Sequence, residues 1–229
     1  MRFAWAVLAA GLMLAAGPAI AGRPLSTDDA SLEDAGVCHV ESWWQRADTA
    51  HEWHFAPACG LAGNTELALE LANYSPADTD RRALDFQIKT LLPALSLGDW
   101  SFAAKFNVEQ AQGASDGRWA ADGYSATGIA SWALSPDVAL HLNLGVQRSV
   151  RDAMWSRSYA AALAWNAGTR WLSFVELGGD DQSSAVRMIG ARFWLIPDRL
   201  GLDFTIANQA GVPASRLTTL GLSLYGIGQ

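Results

Sequence analysis

The feature that most constrains this chain is an alternation of apolar and polar residues that recurs along most of its length. Between Val138 and Gln147, four aliphatic side chains alternate with others that include His141 and Asn143. A period of two predicts strands with one apolar and one polar face. Twelve segments have this character, at residues 37–47, 50–60, 65–74, 82–93, 99–111, 124–134, 138–149, 158–167, 169–178, 184–196, 199–209 and 216–226.

The lengths of these segments indicate a membrane. A tilted strand of about 9–11 residues crosses a bilayer, whereas strands of soluble proteins are usually shorter. The connections alternate between tight ones, such as Leu61–Asn64, and longer polar ones, such as Gln112–Gly123 and Val150–Arg157. We therefore predict an all-β fold over residues 37–229: a closed transmembrane antiparallel β-barrel of about twelve strands, with short periplasmic turns and longer outer loops.

Tryptophan supports the same fold. The chain has 11 tryptophans, and most of them lie in or at the ends of the predicted strands. Amphipathic rings favour the headgroup level of a bilayer, which predicts two aromatic girdles. In a soluble β-sandwich the same residues would form the core, and that alternative stays open.

The N-terminus predicts export. Arg2 precedes an apolar stretch from Phe3 to Ala16, and residues 19–21 read AIA. This is the pattern of a signal peptide over residues 1–21, cleaved after Ala21, although a retained membrane helix is the alternative. We predict the outer membrane of a Gram-negative bacterium. Residues 22–36 lack a strand pattern, and they form either a plug inside the barrel or a periplasmic tail.

Composition excludes one class of partner. The chain has 16 Lys+Arg against 23 Asp+Glu, a formal charge of −7, and no basic run. Nucleic acid is therefore not expected as a partner, since its phosphates need clusters of Lys and Arg. The expected partners are outer-membrane lipid, the barrel-assembly machinery and a small-molecule solute. We expect no cofactor and no metal.

The two cysteines predict a disulfide bond. If Asp48 and Thr49 form the turn of the first hairpin, Cys38 lies directly opposite Cys59, and the same register aligns two tryptophans. Opposed strand positions bring Cβ atoms close to disulfide distance, and an exported chain meets an oxidising compartment. Two free buried thiols are the alternative.

Charged residues on the polar faces form two predicted rows across neighbouring strands. One row is charge-compensated, whereas the other brings three carboxylates together near the outer rim. Like charges at short range attract a cation, so this second row predicts a cation-attracting mouth or a weak calcium site, unless Arg81, Arg82 or water neutralises it. The predicted lumen and selectivity residues are Glu66, Lys89 and Lys105 (first row), Glu70, Asp85 and Glu109 (second row), and His141 and Asn143.

The polar face of one predicted hairpin carries a candidate catalytic arrangement. Extended across its turn, the strand register pairs Ser131 with His141, and Asn143 lies one step further along the same face. Such a set can support nucleophilic catalysis in a barrel lipid hydrolase. It faces the lumen, however, whereas a lipid hydrolase needs a nucleophile open to the bilayer. We therefore expect no enzyme, and we do not expect a zinc site at His39 and His54, which are separated along the sheet.

The start of the predicted mature chain resembles a known group. Residues 23–30 read RPLSTDDA, followed by Gly36 and by Glu41 inside the first strand. This is similar to the R-P-L-x-T-D-D-A opening of a proteobacterial outer-membrane β-barrel family, grouped with the transporters of phenol meta-pathway operons. The resemblance implies a barrel that passes hydrophobic or aromatic compounds.

Together these observations favour a narrow channel or transporter for small molecules. Twelve strands enclose more space than the filled eight-stranded barrels and less than the open sixteen-stranded ones. The alternative is a non-conducting structural or adhesive barrel that acts through its outer loops.

Overall fold

The computed structural model describes residues 25–47, 50–75, 81–112, 117–211 and 216–228. The predicted signal peptide lies outside the described residues, and so do Asp48 and Thr49 at the tip of the first hairpin. Within these ranges, no helix is long and apolar enough to cross a membrane.

The described residues form a closed antiparallel barrel. Each strand pairs with its neighbours in sequence, and the last strand pairs with the first. The twelve predicted strands are all present, which confirms the predicted fold class. They are β1 Cys38–Ala47, β2 Ala50–Leu61, β3 Thr65–Ser75, β4 Arg81–Leu91, β5 Trp100–Gln112, β6 Trp119–Ser135, β7 Val138–Ser149, β8 Trp155–Ala167, β9 Trp171–Asp180, β10 Val186–Ile196, β11 Leu200–Gln209 and β12 Leu217–Ile227. A 3₁₀ turn at Pro93–Leu95 lies between β4 and β5.

Two outer loops are shorter than the sequence predicts. Strand β6 begins at Trp119 and β8 at Trp155, so much of Gln112–Gly123 and part of Val150–Arg157 belong to strands. Main-chain pairing continues past the alternating pattern, as in the pair Gln112 and Trp119. Ladder hydrogen bonds do not depend on side-chain polarity, which is why the alternation ends before the strands do.

The two faces of the sheet differ as the alternation predicts. Large apolar side chains such as Leu144 (72 % exposed) cover the outside, whereas inward positions carry polar residues or alanines such as Ala162 (1 % exposed). Tryptophans occupy both ends of the outer surface, for example Trp132 at the turn end and Trp155 at the loop end. Trp43 differs, because it faces inward and stacks on His54.

The first hairpin has the predicted register. Cys38 is opposite Cys59 and the two form a disulfide, while Trp44 is opposite Trp53. The predicted disulfide is confirmed.

The chain that precedes β1 is fastened at the turn end of the barrel. Gly36 N–H donates to Gly60 O, and Gly60 N–H donates to Val37 O, both at 2.9 Å. A Cβ at Gly60 would lie 2.2 Å from Glu33 O, so only glycine permits this close approach of the two chain segments. From this anchor the N-terminal segment, residues 25–36, extends into the barrel.

Candidate functional site: the barrel lumen

The N-terminal segment contacts the lumen wall through its main chain. Ser26 and Thr27 N–H groups both donate to Glu176 Oε2, at 2.8 and 3.0 Å. Asp28 N–H donates to Asn143 Oδ1 at 2.7 Å, and Asn143 Nδ2 donates back to Asp28 O at 2.9 Å. The side-chain amide of Asn143 thus pairs with the main chain of Asp28 through both its donor and its acceptor.

Further contacts trace the path of the segment. The Asp28 carboxylate forms a buried ion pair with Lys105. Ala30 N–H donates to Ser131 Oγ at 2.8 Å, and Glu33 N–H donates to Glu66 Oε2 at 3.1 Å. Glu66 and Ser131 lie near the turn ends of β3 and β6, whereas Asn143 and Glu176 lie at mid-strand. Residues 25–36 therefore reach from the turn-side mouth to the middle of the lumen.

An apolar cluster holds the first described residue of this segment. Leu25 packs against Ala162, Phe174, Met188 and Ala207, all inward-facing side chains of β8 to β11. An aliphatic side chain buried in this way loses contact with water, which stabilises the segment by about 1.5–3 kcal/mol.

The first predicted row lies on the lumen wall with the predicted register. Glu66 is opposite Lys89, which is opposite Lys105. Lys89 Nζ lies 3.9 Å from Glu66 Oε1. Lys105 instead pairs with Asp28 of the N-terminal segment, a partner that strand register alone cannot supply.

The second predicted row is also adjacent, and protein groups compensate much of its charge. Glu70, Asp85 and Glu109 are opposite one another on β3, β4 and β5. Glu70 Oε1 lies 2.7 Å from His54 Nδ1, and Glu109 Oε1 lies 3.4 Å from Arg81 Nη2.

Amide groups take the place of a cation at Asp85. Its Oδ2 accepts hydrogen bonds from Asn107 Nδ2 at 2.8 Å and Gln87 Nε2 at 3.1 Å. In the described part of the chain, no group of three or more His, Cys, Asp or Glu has an arrangement that could hold a metal ion. Arg81 therefore takes the neutralising role considered from the sequence, whereas Arg82 faces outward.

Three acceptor oxygens of this region have no hydrogen-bond partner within the described protein: Glu70 Oε2, Asp85 Oδ1 and Asn107 Oδ1. Their side chains belong to residues that are 5 %, 3 % and 6 % exposed, respectively. Buried acceptors without partners favour contact with water or with a cationic or hydrogen-bond-donating solute.

Asp29 carries a charge on the N-terminal segment itself. Enclosure in the lumen acts to raise the pKa of its carboxyl, but the positive charge of Lys89 and the hydrogen bonds from Ser31 outweigh this effect. The pKa of Asp29 therefore lies below its ordinary value, and the segment remains anionic at neutral pH.

A cavity remains beside the segment. It has a volume of about 240 Å³, and Asp29, Glu66, Glu70 and Lys89 are among the side chains that line it. A smaller cavity of about 40 Å³ lies next to Asp85 and Asn107. The lumen is thus narrow, lined by charged and apolar side chains, and partly filled by residues 25–36.

Sequence reasoning missed the main ion cluster of the lumen, which centres on Arg192. Its guanidinium donates to both carboxylate oxygens of Asp203, at 2.6 and 2.9 Å, and to Glu41 Oε1 at 3.3 Å. It also donates to Ser223 Oγ at 2.7 Å and to Tyr225 Oη at 2.9 Å. These contacts join β1, β10, β11 and β12, and so they cross the seam that closes the barrel.

The predicted serine and histidine meet, but the third residue serves another purpose. Ser131 Oγ lies 2.8 Å from His141 Nδ1, as the register predicts. Ser131 Oγ also accepts the Ala30 N–H, and both polar atoms of the Asn143 amide bond the main chain of Asp28. Ser131 and Asn143 therefore hold the N-terminal segment, while His141 bonds Ser131.

The chain matches one described protein family. A family described as "Uncharacterised conserved protein UCP029691" matches residues 9–217. The chain belongs to this family. No curated protein sequence matches it.

Solved structures share the fold. The KdgM porin is 8 % identical, covers 81 % of this chain and 98 % of its own, and superimposes with a TM-score of 0.66. A KdgM porin in complex with disordered oligogalacturonate gives 0.65 at 9 % identity, with coverage of 81 % and 98 %. The NanC porin gives 0.57 at 7 % identity, with coverage of 82 % and 98 %. The twelve-stranded barrel of this chain therefore has a fold similar to that of these porins.

Proposed function

We propose that this protein is a narrow outer-membrane channel for small polar or cationic solutes, partly closed by its own N-terminal segment. The observation that carries the proposal is the path of residues 25–36, which bond to β3, β5, β6, β7 and β9 inside a polar lumen. The apolar outer surface fits a bilayer. This placement also implies export by the signal peptide and insertion by the barrel-assembly machinery.

The charge of the lumen supports a cationic solute. The described inward-facing carboxylates of the strands outnumber the inward-facing bases, and Asp28 and Asp29 of the N-terminal segment add to the excess. Fixed negative charge in a narrow passage concentrates cations. The carboxylates are Glu41, Glu52, Glu66, Glu70, Asp85, Glu109, Asp122, Glu176 and Asp203; the bases are Arg81, Lys89, Lys105 and Arg192.

The solute class proposed from the lumen differs from the one implied by the resemblance. Hydrophobic or aromatic compounds would favour an apolar passage, whereas Glu66, Glu70 and Lys89 line the larger cavity beside apolar side chains such as Leu32 and Leu172. A hydrophilic amine or a metal cation is the better match for such a wall. The KdgM porin solved with oligogalacturonate shows what that relative accepts, and it does not determine the solute here.

A non-conducting structural barrel is the second candidate. The observation that favours it is the filled lumen, whose larger cavity is only about 240 Å³. In that case the bonds between Asp28 and Asn143 would serve stability alone. A lipid hydrolase is not favoured, because Ser131 and Asn143 bond the N-terminal segment rather than face the lipid.

Removal of the segment tests the proposal. A mature chain without residues 22–33 keeps Asp34 to Val37, and with them the anchor to Gly60. In planar bilayers we expect its single-channel conductance to exceed that of the intact protein, because the N-terminal segment no longer occupies part of the lumen. Heat-modifiable migration on SDS gels would verify that this variant folds. If both proteins fold and neither conducts, the structural alternative is correct.

Neutralising the second row tests the charge of the passage. The triple variant Glu70→Gln, Asp85→Asn, Glu109→Gln is expected to move the reversal potential towards zero in a salt gradient, because the wild type passes mainly cations. The effect should weaken with salt, since screening acts within about 10 Å at 0.1 M. The control carries Asp99→Asn, Asp137→Asn and Asp198→Asn in the turns and should keep the wild-type potential. An anion-selective wild type would contradict the prediction.

A further inference from the structure

The outward-facing arginines of the strands all lie near one end of the barrel. Five arginines point outward, and each lies within three residues of the loop end of its strand. They lie on the same face of their strands as exposed lipid-facing side chains such as Phe86, Val146 and Ile189. These five residues, here called the outer arginine belt, are Arg46, Arg82, Arg148, Arg157 and Arg187.

The opposite end of the outer surface has a different composition. Where the described strands approach the short turns, their outward positions carry no Asp, Glu, Lys or Arg. Trp100, Trp132, Trp165 and Trp171 are found there instead. The barrel therefore presents a cationic rim to only one of the two leaflets that would surround it.

Strands β7 and β8 place two of the belt arginines together. Arg148 is opposite Trp155 and Arg157 is opposite Val146, so the two arginines occupy diagonal positions on the same face. Backbones at such positions are about 7–8 Å apart, within reach of two long side chains that share one anion. The guanidinium of Arg148 lies 5.7 Å from the centroid of the Trp155 ring and donates to Ala153 O, which orients it.

The surface beneath these arginines is suited to an acyl chain. Leu144 and Val146 lie on the same face of β7 as Arg148 and are 72 % and 46 % exposed. They are the next outward-facing residues from Arg148 towards the middle of the bilayer. On the loop side, Asp181 Oδ1 accepts the Arg157 main-chain N–H at 3.0 Å. This main-chain bond and, more weakly, the positive charge of Arg157 lower the pKa of Asp181.

We propose that the outer arginine belt binds the phosphate groups of lipid headgroups in the leaflet on the loop side, with Arg148 and Arg157 as the principal position. Guanidinium groups bind phosphate through paired, charge-assisted hydrogen bonds, and aliphatic side chains below them accommodate the attached chains. The inference rests on the membrane placement in the proposed function, but it does not depend on conduction, since the belt faces away from the lumen.

Lipid binding by the purified mature protein tests the inference. In dodecyl maltoside, native mass spectrometry would follow titration with diphosphoryl lipid A, its dephosphorylated form as the second arm, and inorganic phosphate as competitor. The double variant Arg148→Gln, Arg157→Gln is expected to lose more than about tenfold in affinity for the diphosphoryl form, because two charge-assisted contacts are removed. The control Arg170→Gln, Arg199→Gln changes two arginines of the short turns and should bind as the wild type does.

Several outcomes would overturn the inference. One is equal affinity of the belt variant and the wild type for diphosphoryl lipid A, and another is an equal loss of affinity in the control variant. Equal binding of the dephosphorylated lipid would also overturn it. Displacement of lipid A by inorganic phosphate at similar concentrations would indicate a site for soluble anions instead. Heat-modifiable migration would verify that each variant folds. Recovery of the wild type outside the membrane fraction would instead refute the proposed function, so the two failures are distinguishable.

Discussion

Arg192→Ala is expected to lower the free energy of unfolding by about 3–5 kcal/mol, because it leaves the carboxylates of Glu41 and Asp203 buried without their cation. Glu41 and Asp203 are 2 % and 4 % exposed, and Arg192 is 4 % exposed. Water can therefore do little to replace the lost guanidinium. Urea unfolding of protein refolded into phosphatidylcholine vesicles, followed by tryptophan fluorescence, would measure the change.

Two comparisons separate this effect from a general loss of packing. Arg81→Ala removes an arginine whose ion pairs lie nearer the loop rim, with side chains that are 14–19 % exposed, and it should cost less than Arg192→Ala. The triple variant Arg192→Met, Glu41→Gln, Asp203→Asn removes the charges together and should be more stable than Arg192→Ala. An Arg192→Ala protein as stable as the wild type would show that the Arg192 cluster does not stabilise the closed barrel.

The barrel could be predicted from the sequence because its strand register and its two faces depend on residues that are close in the chain. Tight turns fix the register of neighbouring strands, so simple counting from each turn places Cys38 against Cys59 and Ser131 against His141. The alternation then assigns side chains to a face wherever it is regular. These features need only contacts between strands that are adjacent in the chain.

The path of the N-terminal segment could not be predicted in this way. Ser26 bonds Glu176 across 150 residues, and Asp28 bonds Asn143 across 115. Irregular backbone has no period, and a main-chain N–H carries no sequence signal of its partner. The one available sign was the RPLSTDDA stretch, whose Thr27, Asp28 and Ala30 all bond the lumen wall. That the segment acts as a plug remains part of the proposed function.

The Arg192 cluster escaped prediction for a different reason. In β10 the small residues Gly190 and Ala191 interrupt the alternation, so the sequence does not assign Arg192 to a face. Its partners Glu41 and Tyr225 belong to the first and last strands, which meet only when the barrel closes. Closure brings these groups together, and the resulting cluster in turn holds the seam.

The face assignment itself has a direct test at mid-barrel. Leu142→Arg is expected to cost about 2–4 kcal/mol of unfolding free energy, because it places a charge on the lipid side near the bilayer midplane. Ala56→Arg is the matched control, since Ala56 lies at mid-strand in β2 but lines the larger cavity together with Glu41 and Glu70. The same substitution should cost less there, because carboxylates and water surround the new cation. Urea unfolding in vesicles would compare the two variants. Equal losses, or a larger loss for Ala56→Arg, would show that lipid and lumen do not lie on the sides of the sheet assigned here, and with that result the acidic passage and the outer arginine belt would both lose their basis.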